Sequence, residues 1–155
     1  MTYQHDRQPF PPRGGSPSSG RSFNRQTPSL PTDYLKNGYF DSNDHIFPEV
    51  IIEWPRDIAK KLDIAGIGSA QIRNFFGEAR RIEGQLSSGQ DFDALRGRIL
   101  QLDAYAASAQ TRGNAPPLFK QFIEQNLKWA AKDRKSFVSG FILHFECVVA
   151  YFPKK

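Results

Sequence analysis

The sequence predicts an all-α fold, a small bundle of about five helices behind a disordered N-terminal tail. From Pro55 onward, apolar residues recur at intervals of three and four positions, which is the period of a helix with one buried face. Glycine and proline residues separate these stretches at short distances, as the loops of a bundle require. Before Leu35 the chain shows no such period.

The first 45 residues are interpreted as a tail and a linker, and residues 46–155 as the helical domain. Up to about Leu35 the chain is rich in proline, glycine, serine and arginine, with too few apolar side chains to offset the entropy lost on ordering. We therefore expect this part to be disordered. A group of turn-forming residues then marks the linker: Asn37, Gly38, Asp41, Ser42 and Asn43.

Two helices are predicted before residue 90. Pro55 suits the first position of a helix that runs to about Asp63, with Ile58 and Leu62 on its apolar face. Glycines at positions 66 and 68 separate it from a second helix, which begins at residue 69 or 70 and ends near residue 86. The apolar stripe of this second helix consists of Ile72, Phe75, Phe76, Ala79, Ile82 and Leu86.

A third and a fourth helix follow. Asp91 is a suitable N-cap for the third helix, which ends near Arg112 with Gly113 as a left-handed terminator. Pro116 and Pro117 open the fourth helix, which extends toward residue 130. The stripes are Leu95, Ile99, Leu102, Tyr105 and Ala106 in the third helix, and Leu118 or Phe119, Phe122, Ile123 and Leu127 in the fourth.

A fifth helix is predicted from about Asp133 to Phe152, with an inner face of Phe137, Phe141, Phe145, Val148 and Phe152. Because most of the 13 phenylalanines fall at such spacings, we expect them in the core rather than stacked on bases. Trp54 precedes a helix and Trp129 departs from the stripe of its own helix. Either tryptophan is therefore a candidate interface or stacking residue.

The composition excludes several classes of protein. Cys147 is the only cysteine, so no intramolecular disulfide forms and a reducing compartment is expected. The three histidines are scattered and no second thiol exists, so we expect no metal site and no cofactor. The longest apolar run, residues 137–152, contains Ser139, His144 and Glu146, and no run approaches the roughly 18 residues that span a bilayer. We therefore expect a cytoplasmic protein without membrane contact.

Catalytic motifs are missing from the sequence, which has no GxGxxG, P-loop, HExxH or GxSxG pattern. The nearest candidate group is His144 with Glu146 and Cys147. On a helix the side chains at 144 and 146 point about 200° apart, so these two do not cooperate alone. The valines at 148 and 149 place Cys147 near the core. We therefore expect a buried structural cysteine, a partly exposed histidine and no enzymatic activity.

Basic residues outnumber acidic ones by 21 to 16, a net charge of +5 that favours polyanionic partners. Arg73 and Arg80 lie seven residues apart and so share one face of the second helix, with Arg81 beside them. Glutamates occur on the same helices, so two interpretations stay open. The basic residues form either an ordinary solvated face or a surface for phosphates, which arginine binds through its planar fork of donors. Further basic candidates on later helices are Arg96, Arg98, Arg112, Lys128 and Lys132.

Three segments resemble motifs of one protein family. Residues 67–76 (IGSAQIRNFF) resemble the T-x-x-Q-[IL]-R-[KN] helix start of the small subunit of type III-A CRISPR effector complexes, the Csm small-subunit family. Residues 102–113 (LDAYAASAQTRG) resemble its L-x-x-A-Y-A-A-G-R helix, and residues 137–152 resemble its closing F-E-A-[LV]-V-A-Y helix. The segments occur in the family's order and spacing, and together they cover roughly residues 54–152.

Two departures from the family pattern concern helix ends. Gly68 stands where a threonine would cap the second helix, so the capping box lacks its side-chain half and Ser69 is the nearest substitute. The stretch between Ser108 and Arg112 is longer than the family's Ala-Gly-Arg, so Arg112 matches the arginine of that motif less directly. The proline- and serine-rich tail lies outside the resemblance.

The resemblance implies a small helical subunit without catalytic activity, whose copies line up beside the guide RNA and its target RNA. The implied contacts are mainly to the sugar–phosphate backbone, while base pairing supplies sequence specificity. The expected partners are the two RNAs, the other subunits of the complex, and further copies of this chain in dimers or short filaments, with Trp54 and Trp129 as anchors. The candidate RNA-binding residues are Arg73, Arg80, Arg81, Arg96, Arg98, Arg112, Lys128 and Lys132.

Two other functions stay open at this point. A helical adaptor that binds only protein also fits, provided that the basic face is merely solvated. Whether Arg73, Arg80 and Arg112 share one surface separates the adaptor from the RNA-binding subunit. A small enzyme built around His144 is the third possibility, and it requires the imidazole ring to line an open pocket.

Overall fold

The computed structural model describes residues 28–154. Within that range, the segment Ser136–Ile142 is π-helical and continues directly into the last helix. The predicted all-α bundle of about five helices is confirmed. The part of the predicted disorder that falls on residues 1–27 lies outside the described residues. The helices are α1 (Pro48–Ile51), α2 (Glu53–Ala65), α3 (Ser69–Ser87), α4 (Phe92–Thr111), α5 (Pro117–Ala130) and α6 (Leu143–Tyr151).

The core forms where the apolar stripes of the helices meet. α4 lies between α3 and α5, and α6 lies against α2, α3 and the π-helical segment. Phenylalanine rings fill the centre: Phe75 stands edge-on to Phe119 with centroids 4.7 Å apart, and Phe122 stands edge-on to Phe145 at 5.3 Å. The predicted burial of Tyr105 in α4 is wrong, because this side chain is half-exposed. The neighbouring Ala106, which also belongs to the predicted stripe, is fully buried.

Several predicted helix ends are confirmed, although their caps differ. Gly66 and Gly113 follow α2 and α4 with φ of 94° and 77°, the left-handed region that favours glycine. Asp91 is the N-cap of α4, but its side chain makes no capping hydrogen bond. Gly68 is the N-cap of α3, and Ser69 does not substitute for the missing threonine because it lies inside the helix.

The last helical stretch begins near Asp133, as predicted, but it is wound differently. The carboxylate of Asp133 accepts a hydrogen bond from the backbone N–H of Ser136, 2.7 Å away, and so caps the start. The π-helical turns that follow are wider than those of an α-helix. They bring Phe137 and Phe141, four residues apart, onto the same buried side, with ring centroids 5.9 Å apart. Sequence spacing alone predicted the burial of these rings but not the π-helical geometry.

The folded body extends toward the N-terminus beyond the boundary drawn at residue 45. Leu35 and Tyr39 are each only 2% exposed and belong to the hydrophobic core. Gly140 makes room for Tyr39, because a Cβ atom at that position would lie 2.7 Å from Cγ of the tyrosine ring. The turn-forming residues around Tyr39 therefore belong to a covering segment, residues 30–47, rather than to a free linker.

A chain of buried hydrogen bonds fastens this covering segment to the bundle. Nδ1 of His144 lies 2.6 Å from the carbonyl oxygen of Val50, which only accepts, so Nδ1 carries the proton. Nε2 then accepts from the hydroxyl of Tyr34 at 2.6 Å. That hydroxyl accepts from the amide nitrogen of Asn126 at 2.8 Å, and the amide oxygen accepts from the hydroxyl of Tyr39 at 2.6 Å. The whole network is satisfied with a neutral histidine.

Candidate nucleic-acid interface

Arg73 and Arg80, which we call the α3 arginine pair, project from one side of α3. Both are exposed, and their separation of seven residues places them two helical turns apart on the same face. Arg80 forms an ion pair with Glu83 at 2.7 Å and lies 5.8 Å from the ring centroid of Phe76. Among residues 28–154, the guanidinium of Arg73 makes no hydrogen bond or ion pair.

A second group of basic residues gathers where α5 ends. Arg96 of α4 donates hydrogen bonds to the carbonyl oxygens of Ala131 at 2.9 Å and Lys132 at 3.3 Å, so it reaches across from the adjacent helix. The ammonium of Lys132 lies 3.9 Å from the ring centroid of Trp129. We call this group the basic end cluster, and it consists of Arg96, Lys128, Lys132, Arg134 and Lys135.

Two further candidates lie outside both groups. Arg81 is turned by about a quarter of a turn from the arginine pair on α3 and forms an ion pair with Glu78 at 2.9 Å. Arg98 of α4 donates a hydrogen bond to the side-chain oxygen of Gln85 near the end of α3. Neither contact groups these arginines with other cations.

Arg112 lies in a cleft between α3 and α4. The cleft has a volume of about 440 Å³ and opens to solvent where α3 begins and α4 ends. α3 contributes Gln71, Asn74 and Glu78, α4 contributes Tyr105, and Arg112 is the C-cap residue directly after α4. Sequence reasoning did not find this cleft. The available signal was the repeat of polar residues at helical spacing beside each apolar stripe.

Arg73, Arg80 and Arg112, whose grouping distinguishes an RNA-binding subunit from a protein adaptor, do not share one surface. Gln71, Asn74 and Glu78 face the cleft, whereas a spacing of 100° per residue puts the α3 arginine pair on roughly the opposite side of α3. Arg112 is therefore separated from Arg73 and Arg80. The structure brings together Arg73 with Arg80, and Arg96 with Lys128 and Lys132.

The ion pairs at these sites leave the basic residues able to bind phosphate. Arg80, Arg81 and Arg96 pair with Glu83, Glu78 and Asp93 on their own helices, and all three arginine side chains remain 41–65% exposed. Exposed ion pairs of this kind contribute about 0–1 kcal/mol. A phosphate group is therefore able to replace the carboxylate.

His144 is fully buried, which corrects the expectation of a partly exposed histidine. The reason is that Tyr34 and Val50, both distant in sequence, supply a partner for each ring nitrogen. Burial lowers the pKa of His144 to about 4, and the hydrogen bond to Val50 opposes that change. Since the ring lines no open pocket, it is not placed to act as a catalytic base. Cys147 is only partly buried, which corrects the expectation of a buried cysteine. This partial burial, together with the charge of Glu146, raises the pKa of the Cys147 thiol.

Among residues 28–154, no three His, Cys, Asp or Glu side chains gather as a metal site requires. No helix in that range combines the length and the apolar character needed to cross a bilayer.

Comparison with known proteins decides the family. The model of the family described as Csm2 Type III-A matches residues 48–154, which is more than half of the chain. The chain belongs to this family. The Csm2 family comprises the small subunits of type III-A CRISPR complexes, so the resemblance stated from the sequence is confirmed. A search of curated proteins and a search of solved structures each found no match.

The region that matches the Csm2 family begins inside the bundle. Residue 48 is the first residue of α1, so the covering segment that carries Tyr34 and Tyr39 precedes the match. Two of the three segments that resemble family motifs, residues 67–76 and 102–113, lie on α3 and α4 and meet at the cleft.

The two tryptophans do not form exposed anchors, so this part of the prediction is wrong. Both rings are half-buried. Trp54 stands edge-on to Tyr34 with centroids 5.1 Å apart. Trp129 lies against Gly38, where a Cβ atom would be 3.0 Å from the indole ring. The covering segment shields both rings, and local sequence gives no sign of that contact.

Proposed function

We propose that this Csm2-family chain is a non-catalytic subunit that acts in the cytoplasm and binds the guide and target RNA of its complex through their sugar–phosphate backbone. The observation that carries the proposal is the basic end cluster. Four of the eight residues from 128 to 135 are basic, and only Asp133 among them is acidic. Arg96 joins them through its hydrogen bonds to the carbonyls at the end of α5.

The cluster suits phosphate for three physical reasons. Lys128, Lys132 and Arg134 are exposed, so a phosphate reaches them without rearrangement. Arg96 is fixed by its hydrogen bonds to α5, which reduces the side-chain entropy lost when it binds. Cations placed together neutralise several phosphates of an RNA backbone, which releases the counterions condensed on the RNA. Such contacts position an RNA without reading its bases, and we therefore expect binding independent of sequence.

The experiment compares a double variant, Lys132→Gln with Arg134→Gln, with the single variant Lys60→Gln as a control. Lys60 is exposed on α2 and makes no ion pair within residues 28–154. Labelled single-stranded RNA is titrated into each full-length protein at several salt concentrations. The double variant should lower the salt slope by about 1.4, since single strands release about 0.7 counterions per neutralised phosphate. The control should match the wild-type protein, and the decrease in salt slope should be the same for two RNAs of unrelated sequence.

The remaining candidate residues form the outer part of the proposed RNA surface. The α3 arginine pair contributes a second region, and Arg81, Arg98 and Arg112 contribute single contacts. An unchanged affinity and salt slope in the double variant would remove the basic end cluster from the RNA surface. The α3 arginine pair would then be the remaining region for backbone binding.

A helical adaptor that binds only protein is the second candidate function. The separation of Arg112 from the α3 arginine pair favours it, because a single continuous basic face is lacking among residues 28–154. The ion pairs of Arg80, Arg81 and Arg96 favour it as well. If neither the basic end cluster nor the α3 arginine pair affects RNA affinity while the chain still joins the complex, the adaptor becomes the better explanation.

Self-association into dimers or short filaments is also proposed, now through the outward face of α4 rather than the tryptophans. That face is uncharged between Gly97 and Ala104, and Leu100 on it is 49% exposed. Sedimentation should show that Leu100→Glu reduces association, whereas Ile64→Glu, at an exposed position of α2, should not. A strict monomer at high concentration, incorporated as one copy per complex, would count against self-association.

A further inference from the structure

The cleft between α3 and α4 has the dimensions and lining of a small-ligand site. Its volume of about 440 Å³ falls within the range of roughly 300–1,000 Å³ that such sites occupy. Phe75 and Ala109 are nearly buried and line the cleft at its base. Each helix contributes residues at spacings of three, four and seven, so most of the lining belongs to two rigid elements, and Asn114 comes from the loop after α4.

The polar groups of the cleft match the edge of a nucleobase. Gln71, Asn74 and Asn114 each offer an amide that both donates and accepts hydrogen bonds. The carboxylate of Glu78 offers acceptors, and its ion pair with Arg81 leaves lone pairs free. A base presents donors and acceptors side by side on its Watson–Crick edge, and single-stranded RNA is recognised mainly through such edges.

The remaining contacts of a nucleotide also find partners. Tyr105 lines the cleft and is 50% exposed, and an exposed aromatic side chain is what an unstacked base requires. The guanidinium of Arg112 stands on the same helix, two turns away, and forms no ion pair with any residue from 28 to 154. It is therefore available for a phosphate.

A protein segment fits this lining less well. Phe75, Tyr105 and Ala109 are the apolar contributors, and amides, a hydroxyl and two opposite charges make up the rest. A groove that binds an amphipathic helix presents a hydrophobic surface instead. The residues that meet in the cleft belong mostly to the two segments, 67–76 and 102–113, that resemble family motifs.

We propose that the cleft binds one unpaired nucleotide of RNA, with its base against Tyr105 and its phosphate at Arg112. The inference deepens the proposed function and rests on it, since it adds a single base contact to sequence-independent backbone binding. Glu78 only accepts hydrogen bonds, and adenine offers it the two N–H groups of an exocyclic amine whereas uracil offers only its single N3–H, so the cleft favours adenine over uracil. Adenine is the simplest probe of that preference.

The experiment uses the full-length chain and two labelled RNAs, a uridine dodecamer and the same dodecamer with one central adenosine. Wild-type protein should bind the adenosine-containing RNA more tightly. Tyr105→Ala should weaken that binding by about tenfold, the effect of removing one stacking contact, and should abolish the preference. Tyr151→Ala is the matched control, because Tyr151 is 41% exposed but lies on α6. It should change neither affinity.

The outcomes separate this inference from the proposed function. If Tyr105→Ala and Arg112→Gln leave both affinities unchanged while loss of the basic end cluster weakens them, the nucleotide site is overturned and backbone binding stands. If wild-type protein binds neither RNA, both proposals fail. If Tyr105→Ala keeps its RNA affinity but no longer co-purifies with the other subunits, the cleft is a protein-docking groove. Unaltered circular dichroism of each variant shows that the effects are local.

Discussion

Acidification should destabilise this fold through His144. In the unfolded chain the imidazole titrates near its usual pKa of 6.5, whereas burial lowers the pKa in the folded protein to about 4. Above pH 6.5 the ring is neutral in both states and has no effect on stability. Below pH 6.5 the unfolded state binds a proton that the folded state excludes, so the free energy of unfolding decreases as the pH falls.

The magnitude follows from the two pKa values. They differ by about 2.5, and each pH unit of difference is worth about 1.36 kcal/mol. The loss therefore reaches about 3 kcal/mol by pH 4 and grows little below that, because both states are then protonated. Solvent does not screen this contribution to stability, because His144 is fully buried. Against the total stability of a small domain, about 5–15 kcal/mol, a loss of this size is large.

Urea unfolding at a series of pH values measures this loss, with His144→Gln as the control. Glutamine does not titrate, so the difference between the two pH profiles isolates the histidine from the carboxylates. Asp41 titrates in a lower window, because hydrogen bonds from the backbone N–H groups of His45 and Asn43 lower its pKa below 3.8. Parallel profiles for wild-type and His144→Gln between pH 6.5 and 4 would refute the reasoning.

Three further predictions concern packing and charge. Gly140→Ala should destabilise the protein by about 1–3 kcal/mol, because the new methyl group displaces the Tyr39 ring. Gly77 has open space around it, so Gly77→Ala should stabilise α3 by about 0.5–1 kcal/mol, and thermal unfolding compares the two variants. Phe145→Ala should cost about 3–5 kcal/mol in urea unfolding, and a cost below about 1 kcal/mol would mean that its face of α6 is not the inner one. Reversing the charge of the α3 arginine pair should weaken RNA binding in titrations. The circular dichroism spectrum should not change, because both side chains lie off the apolar stripe. RNA affinity and salt slope equal to those of the wild-type protein would exclude this region from the RNA surface.

The helices were predictable because their information is local. Apolar spacing, Gly66 and Gly113 after helices, and prolines at helix starts all act within a few residues. The π-helical segment was not predictable, since nothing in residues 136–142 distinguishes it from an α-helix by apolar spacing. Tyr39 was missed for another reason, because its hydrogen-bond partner Asn126 is 87 positions away.

The residues of the candidate site also divide into those predictable from local sequence and those that depend on distant contacts. The pairing of Arg73 with Arg80 follows from the helical repeat and needs no tertiary information. The role of Arg96 at the end of α5 depends on how α4 and α5 pack, which the sequence does not express locally. The burial of His144 likewise depends on Tyr34, which lies 110 positions earlier. Local reasoning therefore finds the faces of helices and misses the contacts between them.

The covering segment determines where a shortened version of this protein has to begin. A version that starts at residue 46, the boundary suggested by composition, or at residue 48, where the family match begins, lacks both Tyr34 and Tyr39. Asn126 and the Nε2 atom of His144 would then lose their hydrogen bonds to the two tyrosine hydroxyls, and the core beneath the segment would be open to water. Trp54 and Trp129 would also lose their cover. The smallest unit that keeps the native interior begins before Pro31, in a stretch whose composition resembles that of a dispensable tail.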